Sequence, residues 1–226
     1  MERRLGASPL FLDRTDAGRR LGEALLNERG GDTVVVGLAR GGVQVAAEVA
    51  RALDAPLDVV AVRKVRHPWQ PEYALGAVTP GDGVYVRGPN GLSRERLAQV
   101  VAAAKGEALE LDRRLHARRA RLGLEGKTVL LVDDGLATGA TMIAAARWAK
   151  GAGAGRVVAA VPVASADSAE PLRREVDGVV ALATPKDFLA VALWYAHFPQ
   201  IDDEDVLQLL DDAERPRETA PGLSGG

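Results

Sequence analysis

Cysteine is absent from this chain of 226 residues. Its absence excludes disulfide bridges, a zinc site built on thiolates and a cysteine nucleophile. Charge of one sign is not in excess either, since 29 Lys and Arg residues face 31 Asp and Glu residues and the net charge is −2. The balance gives no reason to expect a nucleic-acid partner. A chain of this length buries enough apolar surface to fold without a metal or a disulfide.

Long apolar runs are missing as well. No window contains the roughly 18 uninterrupted apolar residues that a membrane-spanning helix needs, so no membrane partner is expected. Residues 1–4 are not followed by an apolar stretch of signal-peptide length. We therefore expect a cytoplasmic protein.

Short apolar runs alternate with helical patterns, and this alternation predicts the fold class. Continuous apolar runs of about four to six residues are typical of strands buried on both faces of a parallel sheet. Between them, apolar residues recur at helical spacing, as in residues 42–53 and 141–150. The pattern predicts βαβ units and an α/β protein with about five parallel strands flanked by helices. The predicted strands are 34–36, 59–62, 129–132, 157–161 and 179–182.

Three segments depart from this alternation. Residues 64–90 contain four prolines and no long periodic run, so they are predicted to form a long loop, with a hairpin around residues 80–83. Residues 93–121 are predicted to form one long helix whose arginine-rich end is solvated. Residues 215–226 lack periodicity and are predicted to be a mobile tail after a single domain, residues 1–214.

The most informative segment is residues 129–142, VLLVDDGLATGATM. An apolar strand leads directly into Asp133 and Asp134, and a loop of small residues then opens a helix. Ligands of open α/β sheets bind at the carboxyl ends of strands. Consecutive backbone N–H groups at a helix N-terminus bind phosphate, and Thr138 and Thr141 add hydroxyl donors. Carboxylates repel phosphate, so beside such a loop they indicate a sugar diol or Mg²⁺ as their ligand.

A capped helix start with a glycine turn would explain the Asp-Asp-Gly alone. The complete string, however, resembles the signature of type I phosphoribosyltransferases: four apolar residues, two acidic residues and a loop that ends in Thr-Gly-x-Thr. It differs from a P-loop because residues 129–149 contain no lysine. The resemblance implies the type I phosphoribosyltransferase fold, with a flexible lid loop at about residues 64–90 and a small hood at about residues 184–212 plus an N-terminal contribution.

The resemblance also implies an activity. The protein is expected to transfer the phosphoribosyl group from phosphoribosyl pyrophosphate to a nitrogenous base, with Mg²⁺ as cofactor, as in nucleotide salvage. Asp133 and Asp134 are the expected Mg²⁺ ligands. Hypoxanthine-guanine members have an aspartate that handles the purine N7 proton where this chain has Ala137, so a general base must come from elsewhere. The residues expected to bind the ribose and the 5-phosphate are Asp133, Asp134, Gly135, Leu136, Ala137, Thr138, Gly139, Ala140 and Thr141.

A second glycine-containing turn follows the first predicted strand. Arg40-Gly41-Gly42 is similar to the pyrophosphate-binding segment of xanthine-guanine members. By this resemblance Ala39, Arg40, Gly41 and Gly42 are expected to bind pyrophosphate, with a cis peptide bond at Ala39–Arg40. A Gly-Gly pair at a strand–helix junction is by itself more often a packing device.

Three further positions are candidates for catalysis and one for base binding. Arg63 and Lys64 end the second predicted strand, where related enzymes keep a lid that closes over pyrophosphate; a charged strand end is the alternative. Glu72 is a candidate carboxylate base. Phe188, in Thr-Pro-Lys-Asp-Phe, is similar to the ring that stacks on the base in hypoxanthine-guanine members, but a core position explains it equally well.

The overall pattern resembles a bacterial group of predicted phosphoribosyltransferases through residues 11–18, residues 71–78 and Trp194-Tyr195. This likeness does not name the base. A homodimer is common for the fold. Two alternatives remain: a regulatory protein that binds phosphoribosyl pyrophosphate without catalysis, and another nucleotide-binding α/β protein. The sequence has no evident DNA-binding segment, which disfavours the regulatory protein. It also has no Gly-x-Gly-x-x-Gly or Walker pattern, which disfavours the other nucleotide-binding protein.

Overall fold

A computed structural model describes residues 9–88 and 91–215. Beyond Arg215 the predicted mobile tail lies outside the described residues, as do residues 89–90 of the predicted lid. No helix within the described ranges is long and apolar enough to span a membrane. The helices and strands are α1 Arg14–Ala24, β1 Thr33–Ala39, α2 Gly41–Leu53, β2 Leu57–Ala61, β3 Arg63–His67, β4 Gln70–Val78, β5 Val84–Val86, α3 Arg94–Leu115, β6 Thr128–Val132, α4 Ala140–Gly151, β7 Arg156–Val163, α5 Ala166–Arg173, β8 Gly178–Ala183 and α6 Asp203–Glu214.

The central sheet has five parallel strands in the order β2-β1-β6-β7-β8. Each of the five apolar runs forms one of these strands, which confirms the predicted α/β class. The chain moves outward from β1 to β2 on one side and from β6 to β8 on the other. Strands β1 and β6 are therefore neighbours at a topological switch point, where the loops that follow them diverge and leave a crevice.

Helices cover both faces of this sheet because alternate residues of each strand point in opposite directions. In β1, Val34 and Val36 pack in the core under α4, whereas Val35 packs in the core under α2 and α6. Gly37 faces α2, where a Cβ atom would lie 2.7 Å from the Cα of Val43. The missing side chain thus lets α2 lie close to the strand that leads into the crevice.

The predicted long loop at residues 64–90 is instead largely an antiparallel sheet, in the order β3-β4-β5. Its β4–β5 hairpin lies where a hairpin was predicted, closed by a 2.8 Å bond from Thr79 N to Gly83 O. The sequence did not predict strands β3 and β4 because register shifts around Arg66 interrupt the alternation of apolar and polar residues. The buried residues Val65, Leu75 and Val78 of this sheet pack on α3, whereas Ala77 is buried in the core under α4.

Helix α3 ends six residues before the predicted limit of 121. Beyond it the chain turns back, and the arginines there are not simply solvated. Arg119 is largely buried and pairs with Glu214 at 2.6 Å, while Arg121 pairs with Asp112. These ion pairs fasten the end of α3 to α6 and to its own last turn.

The predicted hood divides into two parts. Residues 184–200 form an aromatic layer with the N-terminal segment, in which Phe11 packs with Trp194 and Tyr195. Leu10 N and Phe11 N both donate to Trp194 O, at 2.9 and 3.1 Å. Helix α6, in contrast, packs its buried Val206 and Leu210 into the core beside α2. The N-terminus of α6 lies at the edge of the crevice, where Asp203 contacts Arg40.

Candidate functional site

The β1–α2 junction and the β6–α4 loop, residues 133–139, meet in the crevice. A methyl group at Gly41 would overlap Asp134 Oδ2, and one at Gly42 would lie 2.6 Å from Val132 O. Glycine is therefore required at both positions for the two segments to approach each other. The peptide bond Ala39–Arg40 is cis, as the resemblance predicted.

Protein donors hold the carbonyl groups of the β6–α4 loop. Four of its carbonyl oxygens accept hydrogen bonds from side chains or backbone outside the loop. Leu136, whose side chain is buried in the core, also donates its N–H to Val163 O at 2.8 Å. Leu136 therefore supports the loop from beneath. The four bonds are Tyr195 Oη to Asp134 O at 2.6 Å, Ser165 N to Leu136 O at 2.8 Å, Ser168 Oγ to Ala137 O at 2.6 Å and Arg87 Nη2 to Thr138 O at 2.8 Å.

The N–H groups of the same loop are left available. In the part of the chain that the structure describes, no backbone N–H of residues 137–141 has a protein acceptor. Gly139 adopts a φ of 74° immediately before α4, a left-handed conformation that glycine adopts without strain. Free N–H groups at a helix N-terminus are suited to binding an anion. This is the geometry expected of a phosphate loop.

Asp133 and Asp134 lie at the start of that loop in an electrostatically costly position. Burial raises the pKa of Asp133 well above its usual range, and the adjacent charge of Asp134 raises it further. Burial also raises the pKa of Asp134, but Arg14 and Lys64 oppose this effect. Two adjacent, largely buried carboxylates with so little compensating charge are suited to a ligand that donates hydrogen bonds or carries positive charge.

Arg14 is a site residue that sequence analysis missed. It donates from Nε to Asp134 Oδ2 at 2.9 Å and from Nη1 to Pro199 O at 2.7 Å. Its guanidinium lies 3.7 Å from the ring centre of Phe198. The resemblance included this residue within residues 11–18 but assigned it no role. Its position within a family pattern was the only signal available.

Next to the two aspartates lies a cationic cavity of about 400 Å³. Arg40 follows β1, and Arg63 begins β3 two residues after the end of β2, the neighbour of β1 in the sheet. Burial lowers the pKa of Arg63, and the charge of Arg40 lowers it further, so these two cations are close and incompletely hydrated. The cavity is lined by Arg14, Arg40, Gly41, Arg63, Phe198, Pro199, Gln200 and Ile201.

The comparisons with known proteins agree with this geometry. A family model described as the phosphoribosyl transferase domain matches residues 12–191. The chain belongs to this family. A Mycobacterium tuberculosis protein provisionally named a phosphoribosyl transferase, Rv0571c, is 44% identical over 211 residues, which cover 91% of this chain and 47% of that protein. This phosphoribosyl transferase domain thus spans about half the length of the curated relatives that it matches.

A solved structure extends the likeness to three dimensions. The crystal structure of TT1426 from Thermus thermophilus has 43% sequence identity and a TM-score of 0.76. The match covers 89% of this chain and 98% of that one. The two chains therefore share one fold along nearly their whole lengths.

The structure brings most of the predicted site residues of this phosphoribosyl transferase domain together. Arg40, Gly41 and Arg63 share the cavity, and the charge of Lys64, on β3, acts on both aspartates. Glu72, in contrast, is exposed on β4 and is not part of the cavity lining. Its proposed role as a base requires movement of the β3–β4 hairpin.

Phe188 packs within the aromatic layer of the hood. Its ring is stacked with Trp194 at 6.3 Å between centres and an interplanar angle of 28°. The side chain is only partly buried, so one part of it stays accessible. The structure thus accounts for Phe188 as a packing residue, and base binding by this ring stays a prediction.

The donor set of the site fits a shared Mg²⁺ ion better than a fully protein-bound metal. No group of three or more His, Asp or Glu residues able to hold a metal occurs within residues 9–88 and 91–215. Asp133 and Asp134 supply two carboxylates, of which Asp134 is already paired with Arg14. Proteins commonly hold Mg²⁺ through one or two carboxylates together with substrate phosphates and waters.

Proposed function

We propose that the protein is an enzyme that transfers the 5-phosphoribosyl group from phosphoribosyl pyrophosphate to a ring nitrogen of a base and releases pyrophosphate. The supporting observation is the order of charges along the crevice. An anion site of free N–H groups, two carboxylates and a cationic cavity follow one another there. Phosphoribosyl pyrophosphate carries a phosphate, a ribose diol and a pyrophosphate in the same order.

Each part of the crevice would bind one part of this substrate. The N–H groups of residues 137–141, with the hydroxyls of Thr138 and Thr141, would hold the 5-phosphate. Asp133 and Asp134 would accept hydrogen bonds from the ribose hydroxyls. Ala39, Arg40, Gly41 and Gly42 would hold the pyrophosphate, because backbone N–H groups and a guanidinium both suit phosphate oxygens. Phe188 would stack on the base.

Catalysis by this site rests on positioning and charge. The bond from ribose C1 to the pyrophosphate oxygen breaks, the pyrophosphate leaves with the electron pair, and the base nitrogen forms a bond to C1 with inversion. Arg63 and Lys64 would stabilise the charge that develops on pyrophosphate. Holding both reactants in line would contribute most of the remaining rate.

The proton of the base nitrogen needs an acceptor, and Ala137 cannot provide one. Glu72 is the proposed carboxylate base, brought to the site when the β3–β4 hairpin, part of the predicted lid, closes over it. Mg²⁺ held by Asp133 and Asp134 together with substrate oxygens would neutralise the charge of the pyrophosphate.

The test is pyrophosphate release from phosphoribosyl pyrophosphate and Mg²⁺ across a panel of purines, pyrimidines and other nitrogen heterocycles. The double variant Asp133→Asn with Asp134→Asn removes both carboxylate charges and replaces one acceptor oxygen at each position with an NH₂ donor. Asp211→Asn with Asp212→Asn is the matched control, because it changes an adjacent and exposed aspartate pair on α6. We expect release that depends on one base, is lost in the site variant and is retained in the control.

The other outcomes are equally informative. Calorimetric binding of phosphoribosyl pyrophosphate without release for any base would favour the regulatory ligand-binding protein over the enzyme. Failure of the wild-type protein to bind this compound would contradict both functions. Full activity of the Asp133/Asp134 variant would remove the two aspartates from the mechanism.

A further inference from the structure

An ion-pair cluster joins the crevice to the first turn of α6. Arg40 donates from Nε to Asp203 Oδ1 at 2.6 Å. Arg114 binds the other oxygen, Oδ2, through Nε at 3.1 Å and Nη2 at 3.0 Å. The two carboxylate oxygens of Asp203 therefore accept hydrogen bonds from two different arginines. The Asp203 side chain is 19% exposed, so water screens these pairs only in part.

The backbone beneath Asp203 is well anchored. Asp202 caps α6, and a reciprocal pair of bonds with Asp205 completes a capping box at 2.8 and 3.0 Å. One and two turns further on, Val206 and Leu210 are buried in the core. The carboxylate of Asp203 is consequently held by a fixed helix end, unlike a charge on a free surface loop.

Because Asp203 contacts Arg40 at Nε, the two terminal nitrogens of the guanidinium, Nη1 and Nη2, are left for another ligand. Asp203 accepts a hydrogen bond from Nε of Arg40, and neither Nη1 nor Nη2 of Arg40 donates a hydrogen bond to protein among the described residues. A carboxylate that mimics a bound anion would occupy the fork of two parallel N–H groups that phosphate prefers. The observed side-on contact instead orients the guanidinium and keeps four of its five N–H donors for another ligand.

Asp203 also offsets the repulsion among the arginines at this edge of the cavity. Arg40, Arg63 and Arg114 are close enough that their mutual repulsion lowers the pKa of Arg63, in addition to the larger effect of its burial. Two acidic residues, Glu107 and Asp203, oppose this repulsion. Of these two, Asp203 is the one that contacts Arg40 directly. Without it, Arg40 would gain by turning away from Arg63 into solvent.

We propose that Asp203 is a positioning residue for pyrophosphate binding, which holds the Arg40 guanidinium side-on so that its two terminal nitrogens face the cavity. This inference rests on the proposed function, since it assigns pyrophosphate to the cavity. It extends the site to α6, an element that lies beyond residues 12–191, where the family model matches.

The test compares the binding of two probes, pyrophosphate and ribose 5-phosphate, each measured by calorimetry with Mg²⁺. Asp203→Asn keeps the side-chain shape and removes the charge. Glu204→Gln is the matched control, because it removes a charge from the same helical turn at an exposed position. We expect Asp203→Asn to weaken pyrophosphate binding by about 10-fold, since one charge-assisted contact that orients a ligand is lost. Ribose 5-phosphate binding and both probes in Glu204→Gln should stay within about 2-fold of wild type.

A double-mutant cycle separates positioning from general destabilisation. In an Arg40→Ala background, Asp203→Asn should have no further effect on pyrophosphate binding, because there is no guanidinium left to orient. A purely structural role of Asp203 would weaken both probes and would persist in that background.

Each result has a distinct meaning. Wild-type affinity for pyrophosphate in Asp203→Asn would overturn the positioning role. Tighter binding would overturn it as well and would identify Asp203 as a competing anion. Wild-type protein that binds neither probe would refute the proposed function itself, which is a separate outcome from failure of the Asp203 variant alone.

Discussion

Arg14 and Asp134 form a largely buried ion pair, with Arg14 Nε donating to Asp134 Oδ2 at 2.9 Å across 120 residues of sequence. The pair joins the first turn of α1 to the loop that follows β6. It supplies part of the positive charge that offsets two adjacent buried carboxylates. The N-terminal helix is therefore part of the site and not only a cover for the sheet.

Replacing Arg14 with Met should damage both stability and binding. The apolar stem is kept, but Asp134 loses its cation while it remains buried, which typically costs about 3–5 kcal/mol in unfolding free energy. The pKa of Asp134 should rise further, so phosphoribosyl pyrophosphate should bind at least about 10-fold more weakly at neutral pH. Denaturant unfolding and calorimetry would measure the two effects.

The matched control for this change is Arg19→Met on the same helix. Arg19 is 68% exposed and lies 3.6 Å from Glu48, a pair that contributes little because water screens it. Equal losses in the two variants would show that the Arg14–Asp134 pair has no special importance.

Gly41→Ala should act on function through a steric conflict. The added methyl group would overlap Asp134 Oδ2 and press on Arg14, so the β1–α2 junction and the aspartate must move apart. We expect a loss of about 1–3 kcal/mol in unfolding free energy and of roughly 100-fold in kcat/KM, because displacements of this size disrupt substrate alignment.

Gly31→Ala provides the comparison for Gly41→Ala. A Cβ atom at Gly31 would meet nothing within 4 Å, so its unfolding free energy and kcat/KM should match those of wild type. Wild-type kinetics in Gly41→Ala would mean that the junction tolerates a side chain and that its glycine is dispensable.

Stability should depend on pH through His116, which caps the C-terminal end of α3. Its Nε2 is 3.1 Å from Asp58 Oδ1, and its Nδ1 is 3.4 Å from Asp112 Oδ1. Burial lowers the pKa of His116, but its hydrogen bonds to Asp112 and Asp58 outweigh burial and raise the pKa from 6.5 to about 9. The charged form is thus favoured in the folded protein.

The sign of the effect follows from this shift. A folded-state pKa above the unfolded value of 6.5 means that the stabilisation is complete below about pH 6.5 and is lost as the pH rises through 9. The full effect is at most about 3 kcal/mol. In denaturant unfolding, wild type should therefore exceed His116→Gln by more at pH 6 than at pH 9.5. A difference that does not change with pH would contradict the charged His116.

Sequence alone was sufficient where the structure is local. Residues 129–142 form one strand, one loop and one helix start, so their sequence already placed Asp133, Thr138 and Gly139 in the loop between β6 and α4. The apolar runs likewise predicted all five parallel strands, because a strand buried on both faces needs no information about its partner.

Prediction failed where the structure depends on partners distant in sequence. Strand β3 and most of β4 were predicted as loop, because register shifts interrupt their pattern and because their apolar side chains pack on α3 and α4, which come later in the chain. The length of α3 was overestimated, since its arginine-rich end looks helical but is drawn into ion pairs with Asp112 and Glu214.

The sequence by itself determined the class of fold and the chemistry of the β6–α4 loop, because both arise from neighbours along the chain. Only the tertiary structure decided that Arg14 meets Asp134 and that Asp203 meets Arg40, pairs separated by 120 and 163 residues. The physical reason is packing: α1 and α6 bury their apolar faces beside α2, and this burial places their polar first turns at the switch point between β1 and β6.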